Sequence, residues 1–220
     1  AGFYAVLSGF TGQFELAAIA IFAAMIFDGL DGRVARMTNT QSDFGVQYDS
    51  LSDMVSFGVA PAVVAYGWGV SDLGKLGLAA AFVYASCAAL RLARLNVPAE
   101  SSDGKVFTGL PRPAAAALVA GFVWSTYELA PSVALSVLGA VLTAAAGLLM
   151  VSNFKYPSFK EVDLRGKVPF IVILSVVMGF VVITIDPPRI LFMLAVFFSF
   201  SAPLIWLAKK LGFSAGPKAD

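Results

Sequence analysis

Apolar residues run through this chain in stretches of about twenty, separated by short polar breaks, with no sustained alternation of the kind a half-buried strand shows. Windows of that length predict helices near 14–38, 42–69, 72–96, 110–128, 131–153, 167–185 and 189–211. Ala1 to Ser8 is apolar too, yet at about 1.5 Å per residue it spans only about 12 Å. It is read as the end of a first, truncated helix. With no initiator Met and no basic signal region, a trimmed N-terminus is the expectation. The polar stretches 97–109 and 154–166 are read as loops, and no internal repeat is visible. The predicted fold is all-α: a polytopic transmembrane helical bundle of about eight helices, forming a single membrane domain over residues 1–220.

Composition agrees with that reading. Hydrophobic residues make up 59% of the chain and charged ones 13%, and the mean hydropathy is +0.83, too apolar for a soluble globular domain. A net charge of +1 offers no basic field for nucleic acid. The single Cys87 lies inside an apolar run and has no partner within the chain for a disulfide. Histidine is absent, so imidazole is excluded as ligand, base or nucleophile and the carboxylates are left to carry those roles.

The charged residues are not scattered. Of the fifteen lysines and arginines, only Lys75 and Arg189 fall on one side of the predicted topology. Arg33, Arg36, Arg91, Arg94, Lys105, Arg112, Lys160 and the rest fall on the other, which the positive-inside rule makes cytoplasmic. Four aspartates lie toward that same face, in the pattern Asp28-x-x-Asp31-Gly32-x-x-Ala35-Arg36, eight residues, Gly45-x-x-x-Asp49-x-x-x-Asp53. Carboxylates at membrane depth are costly unless neutralised, so this spacing points to bound cations. On a helix Asp28 and Asp31 are about 60° apart, and Asp49 and Asp53 about 40°, so each pair shares a face. A short turn at 38–42 makes the two helices antiparallel neighbours and brings the pairs together. The four charges match two divalent cations, and all-oxygen ligation favours Mg²⁺, Mn²⁺ or Ca²⁺ over zinc. Gly32 and Ala35 remove bulk where a flat base can lie against the backbone. Arg36 offers a planar fork for a diphosphate. Gly45 leaves space one turn before Asp49, although it serves close helix packing equally well.

Simpler roles compete for the other residues. Asp43, beside the turn, reads as a helix cap or a solvated charge. Arg91 and Arg94, at i and i+3, are read either as snorkelling cations or as groups that hold an acidic part of a substrate. Lys105 and Lys160 lie in the polar stretches. Phe198, Phe200, Trp68 and Trp206 are read as lipid-facing or interfacial aromatics.

The aspartate pattern matches all eight fixed positions of the CDP-alcohol phosphotransferase motif, and the chain resembles that family over a core of about 14–128. The segments Met54 to Ala62, Ala89 to Asn96 and Phe107 to Pro113 resemble its phosphatidylserine synthase branch; the second half resembles the family mainly in hydropathy and in Tyr156 to Lys160. The resemblance implies transfer of a phosphatidyl group from CDP-diacylglycerol to L-serine, releasing CMP, in a metal-dependent homodimer surrounded by membrane lipid. It implies Asp28, Asp31, Asp49 and Asp53 as metal ligands, with Asp53 also the general base. Arg91, Arg94, Tyr156 and Lys160 are candidates for the acceptor site. A phosphorylated alcohol, glycerol 3-phosphate or an inositol phosphate, is the alternative acceptor. A cation transporter is the alternative outside the family, weakened because helices 131–153, 167–185 and 189–211 carry no acid at mid-depth to continue a pathway.

Overall fold

A computed structural model describes residues 1–38, 42–96, 106–129, 132–157 and 170–211. Its elements, in chain order, are α1 (Gly2–Phe10), α2 (Phe14–Thr38), α3 (Asp43–Asp53), a π-helical turn (Met54–Val59), α4 (Ala60–Trp68), a 3₁₀ turn (Val70–Leu73) and α5 (Lys75–Asn96). There follow β1 (Val106–Thr108), α6 (Arg112–Thr126), α7 (Val133–Val151), β2 (Lys155–Pro157), α8 (Phe170–Ile185) and α9 (Pro187–Lys210). Since α3, the π turn and α4 run on without a break, the described residues form the expected eight-helix all-α bundle. α5, α7 and α9 are each long and apolar enough to cross a membrane by themselves. The chain is an integral membrane protein.

Local sequence sets the helix ends. Ser42 caps α3 by accepting from the Gly45 N–H at 3.0 Å, leaving Asp43 at the first helical position. Ser132 caps α7 in the same way, through the Leu135 N–H. Prolines open α6 and α9, where a missing N–H costs nothing.

Two prolines deeper in helices do cost a donor, and each is answered by a buried tyrosine. Pro61 cannot supply the N–H that the Phe57 carbonyl would receive in an α-helix; Tyr84 donates its hydroxyl to that oxygen at 2.9 Å. Pro203, within α9, likewise leaves the Ser199 carbonyl without its helical donor, and Tyr156 supplies one at 2.7 Å. The first case falls in the π turn that directly follows Asp53.

Small residues let the helices approach. A Cβ on Gly147 of α7 would stand 2.8 Å from the Tyr84 Cα of α5, which is why these two helices pack so closely. The core lies here, around Tyr84, Phe57, Val64 and Leu118.

Two sequence expectations are corrected. The segments read as loops contain a short antiparallel pair, with Phe107 opposite Tyr156 and Thr108 opposite Lys155. Three residues per strand carry too little pattern to be seen in sequence. Trp68 does not face lipid: it is 3% exposed and meets Phe122 edge-on at 5.2 Å, in the interior beside Gly139. Trp206 is half exposed, with its ring centroid 5.8 Å from that of Phe154 and 5.1 Å from Lys210 Nζ.

Candidate active site

The second half of α2 and most of α3 stand outside the buried core. Among described side chains, none is buried from Met25 to Thr38 or from Ser42 to Ser52, and the two helices face each other across a cleft of about 420 Å³. Phe27, Tyr48 and Leu51 supply apolar wall; Asp28, Asp31 and Asp49 supply the acid. One carboxylate oxygen from each of these three aspartates lies within 4.8 Å of the others. Asp28 is half-buried, while Asp31 and Asp49 are exposed to the cleft. Three hard oxygen donors converging from two helices fit a hard divalent cation and no soft one.

Asp53 sits one turn along α3 from Asp49 and, at 6% exposure, forms the floor of the cleft. Its carboxyl is within hydrogen-bonding reach of Asp28. It is also ion-paired: Arg112 Nη2 lies 2.9 Å from Asp53 Oδ2. The structure therefore brings all four motif aspartates together, three of them at mutual ligand distance and the fourth held against a guanidinium. The pattern of aspartates contained no sign of that partner. Its signal lay elsewhere, in a basic residue between two prolines at the start of a helix that begins on the same side as the motif.

Arg112 comes from the first turn of α6 and is positioned by the turn before it. Gly109 adopts φ +77°, and a Cβ there would collide with the Met150 carbonyl oxygen and stand 2.7 Å from Arg91 Nη1. The Gly109 N–H donates to Phe154 O at 2.8 Å and the Leu110 N–H to Leu149 O at 2.9 Å, tying the entry of α6 to the end of α7. Arg91 locks the same corner, its Nη1 donating to Met150 O at 2.8 Å and Thr108 O at 3.1 Å.

The remaining sequence candidates divide. Arg91 is 5% exposed and is an electrostatic neighbour of Arg112 and Arg94. Arg94 is exposed, with Nη1 3.4 Å from Asn153 Oδ1. Tyr156 is fully buried beneath this corner with its hydroxyl committed to Ser199, and burial pushes its phenol up to about 12, so it remains a donor. The structure does not bring it to the carboxylates. Gly32 is half-buried on α2, one residue past Asp31. Gly45 is exposed, and a side chain there would meet only Ser42 Oγ within 4 Å. Ala35 and Arg36 lie on described helix, but their side chains, like Lys105 and Lys160 as a whole, lie outside the described residues.

A bundle that gathers four aspartates from two adjacent helices over an arginine defines a class, and sequence comparison gives the same one: residues 1–152 match the CDP-alcohol phosphatidyltransferase family. The chain belongs to that family. It is 41% identical over 172 residues to the CDP-diacylglycerol–serine O-phosphatidyltransferase of Helicobacter pylori, covering 77% of this chain and 72% of that protein. It is 44% identical over 139 residues to the enzyme of the same name from Methanocaldococcus jannaschii, covering 63% of this chain and 62% of that one. Against the archaetidylserine synthase of Methanothermobacter thermautotrophicus the identity is 37% over 158 residues, 71% of this chain and 64% of the other.

Proposed function

We propose that the protein is a CDP-diacylglycerol–serine O-phosphatidyltransferase: it transfers the phosphatidyl group of CDP-diacylglycerol to the hydroxyl of L-serine, giving phosphatidylserine and CMP. The observation that carries this reading is the convergence of Asp28, Asp31 and Asp49 beside a buried Asp53, in a chain 41% identical to a protein of that name.

Asp28, Asp31 and Asp49, joined by Asp53, would hold two divalent ions, Mg²⁺ or Mn²⁺, with Ca²⁺ able to occupy the same oxygens. When bound, these supply the positive charge that a diphosphate ester needs as CMP departs. Four carboxylates and Arg112 sum formally to −3, so two divalent charges leave the site at +1, suited to an anionic substrate. Arg36 receives the diphosphate, and Gly32, Ala35 and Gly45 leave room for the nucleotide. Asp53 takes the proton from the serine hydroxyl as its oxygen attacks the β-phosphorus. The bond from that phosphorus to the bridging oxygen breaks, and CMP leaves with the electron pair. Arg91 and Arg94, at the end of α5, mark the basic corner from which the acceptor enters, with Lys160 a further candidate cation from the sequence.

Transfer is sequential. Without histidine, and with Ser52 about 100° around the helix from Asp53, no activated protein nucleophile is at hand. The site faces the cytoplasm, a reading supported by the bias of lysines and arginines in the sequence toward one side of the predicted topology, and the acyl chains stay in lipid. The working unit is a homodimer.

The test is an acceptor panel. The purified protein is given CDP-diacylglycerol and Mg²⁺ or Mn²⁺ with L-serine, glycerol 3-phosphate or an inositol phosphate, and CMP release is measured. Serine is expected to support release; release with a phosphorylated alcohol in its place would reassign the acceptor.

A further inference from the structure

Beyond the family motif, the corner beside Asp53 holds two guanidiniums, the buried Arg91 and the partly buried Arg112, each with a buried nitrogen whose hydrogen-bonding capacity is not used up. Arg112 spends Nη2 on Asp53, but its Nη1 is buried with no partner among the described residues. Arg91, 95% buried, spends Nη1 on two carbonyls, and its Nε is likewise buried without a partner. The two side chains are electrostatic neighbours of like sign. Buried charged donors left unpaired are costly, and two cations side by side add repulsion, so the corner is incomplete unless an anion enters it. The start of α6, which carries Arg112, adds the partial positive charge of a helix N-terminus.

We propose that Arg112, backed by Arg91, receives the carboxylate of the acceptor and so selects a β-hydroxy acid among alcohols. The inference rests on the assignment of serine as acceptor and Asp53 as base. It deepens that assignment by naming the group that recognises the acid. A guanidinium presents its two terminal nitrogens side by side. With Nη2 fixed on Asp53, an oxygen bound at Nη1 belongs to a molecule whose other end lies against the Asp53 carboxylate. In serine the hydroxyl and carboxylate are separated by only Cβ and Cα, so one short molecule spans both positions. An amino alcohol without the carboxylate leaves Nη1 unpaired. A longer phosphorylated alcohol exceeds the span.

The experiment measures kcat and KM for L-serine and for ethanolamine, which lacks the carboxylate, with the full chain in detergent micelles containing CDP-diacylglycerol. Serine-induced thermal stabilisation is recorded as a binding readout that needs no turnover. Arg112→Gln and Arg112→Lys both lose the second terminal nitrogen. Each is expected to raise the KM for serine by at least about tenfold, to lower the preference for serine over ethanolamine by a similar factor, and to abolish the thermal shift. The KM for CDP-diacylglycerol should move by less than about threefold, as it is bound by other groups. Should the glutamine variant fail to fold, the lysine variant, which keeps the charge beside Asp53, carries the same test. An unchanged KM for serine, or an equal loss of kcat for both acceptors with the preference intact, overturns the proposal and leaves Arg112 as a positioning residue for Asp53. Failure of the serine reading would show in the unmodified protein, as no CMP release with serine but release with a phosphorylated alcohol, and would overturn both.

Discussion

Each of the four aspartates has a position that separates its role from the others. Asp28, Asp31 and Asp49 offer oxygens within 4.8 Å of one another, so on the proposed assignment replacing any one by Asn would leave a bound cation under-liganded. These variants are expected to lose both divalent-cation binding, measured by titration calorimetry, and CMP release; near-normal turnover at low metal concentration would contradict the ligand assignment. Asp53 differs by being buried and paired with Arg112. Asp53→Asn should keep part of the affinity for CDP-diacylglycerol and metal while turnover falls by about 10²- to 10⁴-fold, the usual worth of a general base. Arg91 differs again, since two backbone carbonyls depend on it. Arg91→Ala is expected to destabilise the fold by about 2–3 kcal/mol in reversible denaturation, beyond any effect on serine.

At the scale of the helix, the two tyrosine–proline pairs explain how irregular backbone is tolerated in apolar surroundings. Tyr84→Phe or Tyr156→Phe leaves a buried carbonyl unpaired and should cost about 1–2 kcal/mol. Restoring the N–H with Pro61→Ala should make Tyr84→Phe nearly neutral, a coupling that a double-mutant cycle measures directly. Equal penalties in the two backgrounds would mean that the hydroxyl does not stand in for the missing amide. The sequence made the long helices legible, because runs of about twenty apolar residues have few other solutions. It also made the aspartate faces legible, since helical spacing alone decides them. The π turn after Asp53, the Phe107–Tyr156 strand pair and the Arg112–Asp53 bridge were not legible. Each depends on contacts between segments far apart in the chain, which periodicity does not encode. Tyr156 shows the limit most plainly: proximity in sequence to Lys160 suggested the active site, while the fold commits its hydroxyl to Ser199.

In the molecule as a whole, the cleft opens between the parts of α2 and α3 that stand outside the buried core, so a lipid-borne diphosphate can be met at the carboxylates while its chains stay in the bilayer. Ser52 and Ser56 line the cleft, but with no histidine in the chain to activate them labelled CMP should not exchange into CDP-diacylglycerol without an acceptor; rapid exchange would establish a covalent intermediate and end the sequential scheme. The central claim is that this acidic cleft joins serine to a phosphatidyl group. The measurement closest to it is the passage of radiolabelled L-serine into chloroform-extractable lipid by the purified protein supplied with CDP-diacylglycerol and Mn²⁺. Label is expected in phosphatidylserine, in step with CMP release, and it should vanish on chelation of the metal or on the change Asp31→Asn. Serine left wholly in the aqueous phase by active, metal-loaded protein, or incorporation that survives loss of the carboxylate, would contradict the account.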